Sequence, residues 1–301
     1  MKLRKYTPYV LIIAVLTGLT ACTEEPAGDL PPQWDQSINF NWKFARGDRQ
    51  AAIDPEFDDS GWEVVDLPHD WAISGPFGPL KSNGNTGKLP WKGEGWYRKS
   101  FDLPADAEGK RLQFLFDGVM ANPVVYLNGR KVGAWRYGYN SFWIDATEAA
   151  RFDSTNILVV QADTREHSSR WYPGAGIYRK VGMRLIDPVF IPVWGLYITT
   201  PEVSEERAMV RSIVELRNAS DLNQKITLDL SLIDPAGIEV ANVEKRMEIE
   251  PGAQLEAEFN IPLEHPVIWD IEHPDLYSCI AQLEVDGKRV QSSSTNFGLR
   301  N

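Results

Sequence analysis

"VVYLNGRKVGAW", Val124 to Trp135, is the stretch whose reading decides the fold class. Two runs rich in β-branched and aromatic residues flank Asn128-Gly129. That dipeptide is the strongest short-range hairpin signal, because both central residues of the turn need a left-handed backbone. Working outward, the neighbouring stretches also read as strands. Leu112, Phe114 and Phe116 recur every second residue, the period expected of a half-buried strand. "NILVVQAD" (Asn156–Asp163) is a short continuous apolar run, consistent with a strand covered on both faces. The one helical suggestion, Thr147 to Phe152, is barely more than a turn. Many short strands with regular turns imply an all-β chain that opens with a jelly-roll β-sandwich.

Near Asp187-Pro188 the character changes. Aromatic residues are dense before "PVWGLYITTP" and sparse after it. Beyond it "RSIVELRN", "KITLDLSLID", "EKRMEIE", "QLEAEFNIP" and "SCIAQLEVDGKRVQSS" alternate plainly, with turns at Asp234-Pro235-Ala236-Gly237, Pro251-Gly252 and Asp286-Gly287. About seven strands in a segment of this length fit an immunoglobulin-like sandwich. The jelly roll is placed at residues 37–187 and the immunoglobulin-like domain at 188–300. There is no internal repeat and no low-complexity tract.

The amino terminus has its own logic. Lys2, Arg4 and Lys5 precede an apolar core from Tyr9 to Leu19, followed by Leu19-Thr20-Ala21-Cys22. The core is short for a membrane span and flanked like a secretory signal, so residues 1–21 read as a signal peptide. Cys22 after small residues resembles a bacterial lipobox cysteine, which is lipidated and becomes the mature terminus; a plain signal with an incidental cysteine is the alternative. Thr23 implies outer-membrane sorting, and Glu24-Glu25 resembles a surface-display tag, so the expected location is the bacterial outer membrane, periplasmic or surface-exposed. Residues 22–36, acidic and proline-bearing, read as a tether. The formal net charge of −11 disfavours nucleic acid and anionic lipid surfaces, which need lysine and arginine clusters. With Cys22 lipidated only Cys279 remains, in an apolar run, so neither an intrachain disulfide nor a cysteine metal site is expected.

Signals of catalysis are missing. There is no phosphate-cradling glycine loop and no Gly-x-Ser-x-Gly elbow. His69, His167, His265 and His273 lack metal-ligand spacing, and no carboxylate pair stands out as a general acid and its partner. No catalytic residue, metal or cofactor is assigned. The aromatic residues carry more information. Core packing accounts for most of Trp42, Trp62, Trp71, Trp91, Trp96, Trp135, Trp143 and Trp171. Trp91 differs, because it lies in the polar, glycine-rich "PFGPLKSNGNTGKLPWKGEGW" with Asn83 and Asn85. Aromatic faces on loops suit the apolar faces of sugar rings, and asparagine or arginine suits their hydroxyls. A long decorated turn is the plainer reading of that loop. "HSSRWYPGAGIYRKV" (His167–Val181) is too aromatic for an ordinary loop and too broken for a helix. In it Gly176, Ile177, Tyr178 and Val181 read as structural, and Arg179 as an ion-pair or hydrogen-bond partner.

"FDDSGWEVVDLPHDW" (Phe57–Trp71), "GWYRKSFDLP" (Gly95–Pro104), "VYLNGRKVG" (Val125–Gly133) and "SRWYPGAGIYRKV" (Ser169–Val181) follow one another in a familiar order. They resemble the amino-terminal, galactose-binding-like sugar-binding domain of glycoside hydrolase family 2, most closely its β-galactosidases. "HPVIWDIEHPDLYSC" (His265–Cys279) resembles a segment of that family's immunoglobulin-like domain, and "TNFGLRN" (Thr295–Asn301) the linker into its catalytic (β/α)8 barrel. The resemblance implies a β-galactoside-type glycan as partner and a retaining mechanism run by two barrel glutamates. Those glutamates have no counterpart here, so the expectation is a chain truncated before the barrel, inactive alone, whose barrel lies in cis or in an adjacent reading frame. The resemblance also implies that Arg170 and Trp171 reach toward the barrel's pocket. Some relatives place a substrate-contacting aspartate hereabouts, where this chain has Glu166, His167, Ser168 and Ser169. Trp171 as a plug between domains stays open. So do two other functions, a stand-alone surface carbohydrate-binding lipoprotein and a structural adhesin-like sandwich.

Overall fold

The structure, a computed structural model, describes residues 36–74, 93–165 and 174–300. Asn128 and Gly129 both have positive φ, 51° and 84°, as their hairpin turn requires. Asn128 also works through its side chain. Its amide donates to Ala149 O at 2.7 Å and Asn156 Oδ1 at 2.8 Å, and its Oδ1 accepts from Ile157 N at 2.9 Å. An aspartate could accept but not donate, so the turn residue also fixes the adjoining strand.

Ten strands form the first sandwich: β1 (Gln36–Ser37), β2 (Trp42–Arg46), β3 (Glu63–Val65), β4 (Glu94–Phe101), β5 (Arg111–Phe116), β6 (Val124–Leu127), β7 (Arg130–Ala134), β8 (Phe142–Asp145), β9 (Asn156–Asp163) and β10 (Val181–Ile186). They pair antiparallel in two sheets, β1-β10-β5-β8 and β3-β2-β4-β9-β6-β7. Trp42, Phe44, Tyr97, Phe114, Phe116, Leu127, Leu158 and Val160 fill the space between them. The continuous apolar run of β9 makes sense there, since β9 lies between β4 and β6 inside the larger sheet.

The second sandwich holds β11 (Val189–Phe190), β12 (Leu196–Val203), β13 (Arg207–Asn218), β14 (Gln224–Ile233), β15 (Glu239–Ile249), β16 (Gln254–Glu264), β17 (Tyr277–Val285) and β18 (Lys288–Phe297). β11 and β12 pair end to end along β13, so they are one edge strand interrupted by a turn at Pro192–Gly195. Counted so, the immunoglobulin-like domain has seven strands, with β16 on the other side of β13 and β15-β14-β17-β18 as the facing sheet. Cys279 is buried in this core, and burial pushes its thiol up to about 12, which keeps it unreactive.

Helical content differs slightly from expectation. The turn at Thr147–Ala149 is a 3₁₀ helix that stops short of Phe152, and further single turns occur at Gln50–Ile53, Trp71–Ser74 and Ala105–Ala107. Such turns close in three residues and need no apolar helical face, so they leave no period to read. Between the sandwiches, the Arg111 guanidinium lies 6.0 Å from the Phe190 ring and that of Arg217 5.9 Å from Trp143. Two of the quoted motifs meet at the far end. Trp269 N donates to Leu299 O at 2.8 Å, and Arg300 lies over the Trp269 ring at 5.4 Å.

Candidate functional site

Asn83, Asn85 and Trp91 in segment 75–92, Arg170 and Trp171 in segment 166–173, and the lipidation candidate Cys22 all lie outside the described residues. The residues that flank segments 75–92 and 166–173 are described, and they converge on one rim of the first sandwich. Ser74 and Gly93 bound the first segment, and Arg165 and Gly174 the second.

Gly93 and Thr164 bind each other three times: Thr164 N to Gly93 O at 2.9 Å, Gly93 N to Thr164 Oγ1 at 3.0 Å, and Thr164 Oγ1 to Gly93 O at 3.1 Å. The next pair inward is Glu94 opposite Asp163, two carboxylates facing across β4 and β9. Such a pair repels unless a cation joins it. Arg165 does so, at 2.6 Å from Glu94 and 2.7 Å from Asp163, while Trp96 Nε1 donates to Glu94 at 3.2 Å. Burial works against the Asp163 charge, but the bonds from Arg165 outweigh it and hold the carboxyl below its usual range. Arg165 thus joins the two carboxylates as a clamp across β4 and β9.

The return of the second loop is fixed from another direction. Asp70 Oδ1 accepts from Ala72 N and Ala175 N, both at 2.9 Å. Trp71 N donates to Ala175 O at 3.0 Å and His69 N to Ile177 O at 2.8 Å, so segment 69–71 runs beside 175–177 like a short added strand. Gly174 is required here because a Cβ would meet the Asp70 carboxylate. Arg46, at the end of β2, donates to Trp71 O at 3.1 Å and Ser74 Oγ at 2.9 Å, which ties the exit of the first loop to the same rim. Phe44 forms the floor, its ring centroid 4.6 Å from His69, 4.8 Å from Tyr97 and 5.7 Å from Trp71.

His69 Nδ1 lies 2.9 Å from the Tyr97 hydroxyl. Burial pushes the Tyr97 hydroxyl far up, so it stays protonated, and it also lies 3.4 Å from His69 O, to which it can donate. Burial also lowers the His69 pKa, against the pull of Glu63 and Asp70. A folded-state pKa below the unfolded value means that the unfolded chain takes up the proton first on acidification. The His69 contribution is therefore intact above about pH 6.5 and is lost as pH falls below that toward the folded pKa. His69→Gln is expected to flatten the stability profile between about pH 5 and 7, read by urea denaturation at each pH; an unchanged slope would assign the pH dependence to other groups.

The motif that holds Arg170 and Trp171 resolves differently along its length. Ile177 and Val181 are buried in the core, and the Tyr178 hydroxyl donates to Gly138 O at 2.7 Å. Gly176 exchanges two backbone bonds with Met120, at 2.6 and 2.9 Å. Arg179 departs from expectation. It lies exposed with its guanidinium 5.5 Å from the Tyr178 ring centroid and makes no ion pair among the described residues, although its charge favours the ionised form of partly buried Asp117. Glu94, Asp163, Arg165 and Asp70, which hold the rim together, escape sequence reading. They lie far apart along the chain and match no spacing rule. Among the described residues no group of three histidine, cysteine or acidic side chains could hold a metal ion.

Residues 192–300 match the family model described as glycosyl hydrolases family 2. The chain is similar to a β-galactosidase of Bacteroides ovatus, BoGH2A, with 36% identity over 283 residues, covering 94% of this chain and 33% of that protein. A β-glucuronidase of Formosa agariphila is 28% identical over 287 residues, covering 88% of this chain and 29% of its own length. Among solved structures, a family 2 glycosyl hydrolase from Bacteroides cellulosilyticus superposes with a TM-score of 0.80 at 30% identity, covering 88% of this chain and 35% of that one. A family 2 β-glucuronidase gives 0.82 at 27%, covering 88% and 30%. The chain spans about a third of the length of the curated relatives it matches.

Proposed function

We propose, for a chain that carries the amino-terminal β-domains of glycoside hydrolase family 2, that it is the non-catalytic front of a glycosidase acting on β-galactoside-type glycans. The first sandwich supplies one wall of the sugar pocket through loops 75–92 and 166–173, and the immunoglobulin-like domain spaces that wall from the catalytic barrel. The convergence of both loop roots on one rim, fastened by Gly93–Thr164, Arg165–Glu94 and Asp70–Ala175, carries the reading. Retaining hydrolysis needs two carboxyl groups about 5 Å apart across the scissile bond. The facing pair at this rim is bound to Arg165, and the family resemblance assigns those groups to the barrel. The galactoside preference rests on the Bacteroides ovatus relative. Leu19-Thr20-Ala21-Cys22 supports an outer-membrane lipid anchor for the assembly, which mass spectrometry of the mature amino terminus reads directly.

A chimera decides the reading. This chain replaces the corresponding third of the Bacteroides ovatus β-galactosidase, and nitrophenyl β-galactoside hydrolysis is measured. The chimera is expected to turn over and the isolated chain to stay at background. Arg170→Ala in the chimera is expected to lower kcat/KM by about 1.5–3 kcal/mol of transition-state binding, the size of a lost charged hydrogen bond. A folded, active chimera indifferent to both Arg170→Ala and Trp171→Ala would remove the wall from the site. Turnover by the isolated chain that survives purification would overturn the non-catalytic assignment.

A further inference from the structure

We propose that the loop after β7, Trp135 to Asn140, is a second carbohydrate platform, which stacks against a pyranose ring of an oligosaccharide away from the reaction centre. The proposal rests on the reading of this chain as the sugar-facing part of a glycosidase, and adds a site outside the two loops invoked above.

Trp135 is 39% exposed, yet it is held in place. Its ring is stacked on Phe142 with centroids 5.7 Å apart and planes 10° apart, and Phe142 is stacked on buried Phe116 at 5.0 Å and 10°. Three near-parallel rings thus run from the core to the surface. The indole Nε1 donates to Asn140 Oδ1 at 2.9 Å, and the backbone N of Trp135 donates to Pro123 O at 3.0 Å. One ring face is therefore covered by Phe142, while the indole edge is tied to its own loop. Ordering a large side chain at the surface costs rotamer entropy, and a rigid exposed ring lowers the entropy lost when a flat apolar surface docks on it.

The apolar C–H face of a pyranose is such a surface. Its hydroxyl edge needs polar neighbours, and Asn140, whose Oδ1 is engaged, keeps its Nδ2 donor beside the ring. Tyr137, 59% exposed and 5.6 Å from Tyr139, extends the aromatic surface along the loop. The platform is also mechanically joined to the candidate site. Gly138 O accepts from the Tyr178 hydroxyl at 2.7 Å, and a Cβ on Gly138 would press into Met120, whose backbone is paired with Gly176. A glycan held at the reaction centre could then be gripped again here. An asparagine beside a few rings fits a saccharide better than a protein interface, whose stable forms bury about 800 Å² per partner.

The test is calorimetric titration of the full chain with β-1,4-galactotetraose and with galactose. Binding of the tetrasaccharide is expected, weakened at least about tenfold by Trp135→Ala, about 1.4 kcal/mol. Trp135→Phe keeps a ring on Phe142 and is expected to retain part of the affinity, which separates lost stacking from lost folding. In the chimera Trp135→Ala is expected to raise KM for the tetrasaccharide with unchanged kcat, and to leave nitrophenyl β-galactoside hydrolysis as it was. An unchanged affinity in Trp135→Ala overturns the platform, and so does a wild-type chain that does not bind the tetrasaccharide. Concentration-dependent self-association that Trp135→Ala abolishes would make the patch a protein interface instead. None of these outcomes alters the Arg170→Ala result, so the platform and the accessory wall can fail separately.

Discussion

Arg98→Ala is expected to destabilise the first sandwich by about 3–5 kcal/mol, the range for removing one partner of a buried charged network. Arg98 is only 2% exposed and sits in the middle of β4. Its guanidinium holds Asp59 at 2.8 Å and donates to the carbonyls of Ala52, Asp54, Pro55 and Phe57. One side chain thus closes segment 52–59, which has little regular structure, over the sheet. Alanine would leave those carbonyls without their donor and Asp59 without its cation. Arg98→Lys is expected to rescue little, because an ammonium cannot reproduce a planar fork of donors. Urea denaturation would show the loss as a lower midpoint at similar slope. A loss below about 1 kcal/mol would mean that water satisfies the segment without the arginine.

Gly176→Ala is the second large effect, expected at about 3 kcal/mol or more from backbone strain and overpacking together. Gly176 has φ of 118°, and a Cβ there would run into the Tyr97 hydroxyl and lie 2.8 Å from His69 O. Neither neighbour can yield easily. Tyr97 is packed against Trp42 and Phe44, and His69 is paired with Ile177. Gly252→Ala provides the control, since it too has positive φ, at 70°, but nothing lies within 4 Å of its would-be Cβ. It is expected to cost only about 1 kcal/mol. Similar losses at the two positions would mean that strain alone matters and that the packing around Gly176 relaxes. In the chimera, Gly176→Ala is expected to lower kcat/KM as well, because it separates the strands that seat loop 166–173.

The two variants mark where reading the chain stops. The hairpin at Asn128-Gly129 and the turns at Gly237, Gly252 and Asp286-Gly287 are legible because each is decided within a few residues by backbone freedom. The half-buried period expected for β5 is not met, since Gln113 and Leu115 are as buried as Leu112, Phe114 and Phe116. The same local rules predict the jelly roll and the immunoglobulin-like sandwich that follows it. Motif order carries the family resemblance, and it points to the two loops expected to meet sugar. Arg98 reads in sequence as an ordinary basic residue of a strand, and only its 2% exposure among carbonyls from another segment shows that it closes the sheet. Arg179 shows the reverse, a residue expected to pair that stays at the surface beside the Tyr178 ring.

Sequence alone therefore determined the class of each sandwich and the turns between strands, since both follow from interactions between near neighbours in the chain. Tertiary structure decided which distant residues share a rim. Glu94 meets Asp163 and Arg165, Asp70 meets Ala175, and Trp135 becomes the top of a stack of rings. These contacts depend on sheet register and on the packing of one sheet against the other, and neither leaves a local pattern in the chain because the partners are separated by loops of arbitrary length.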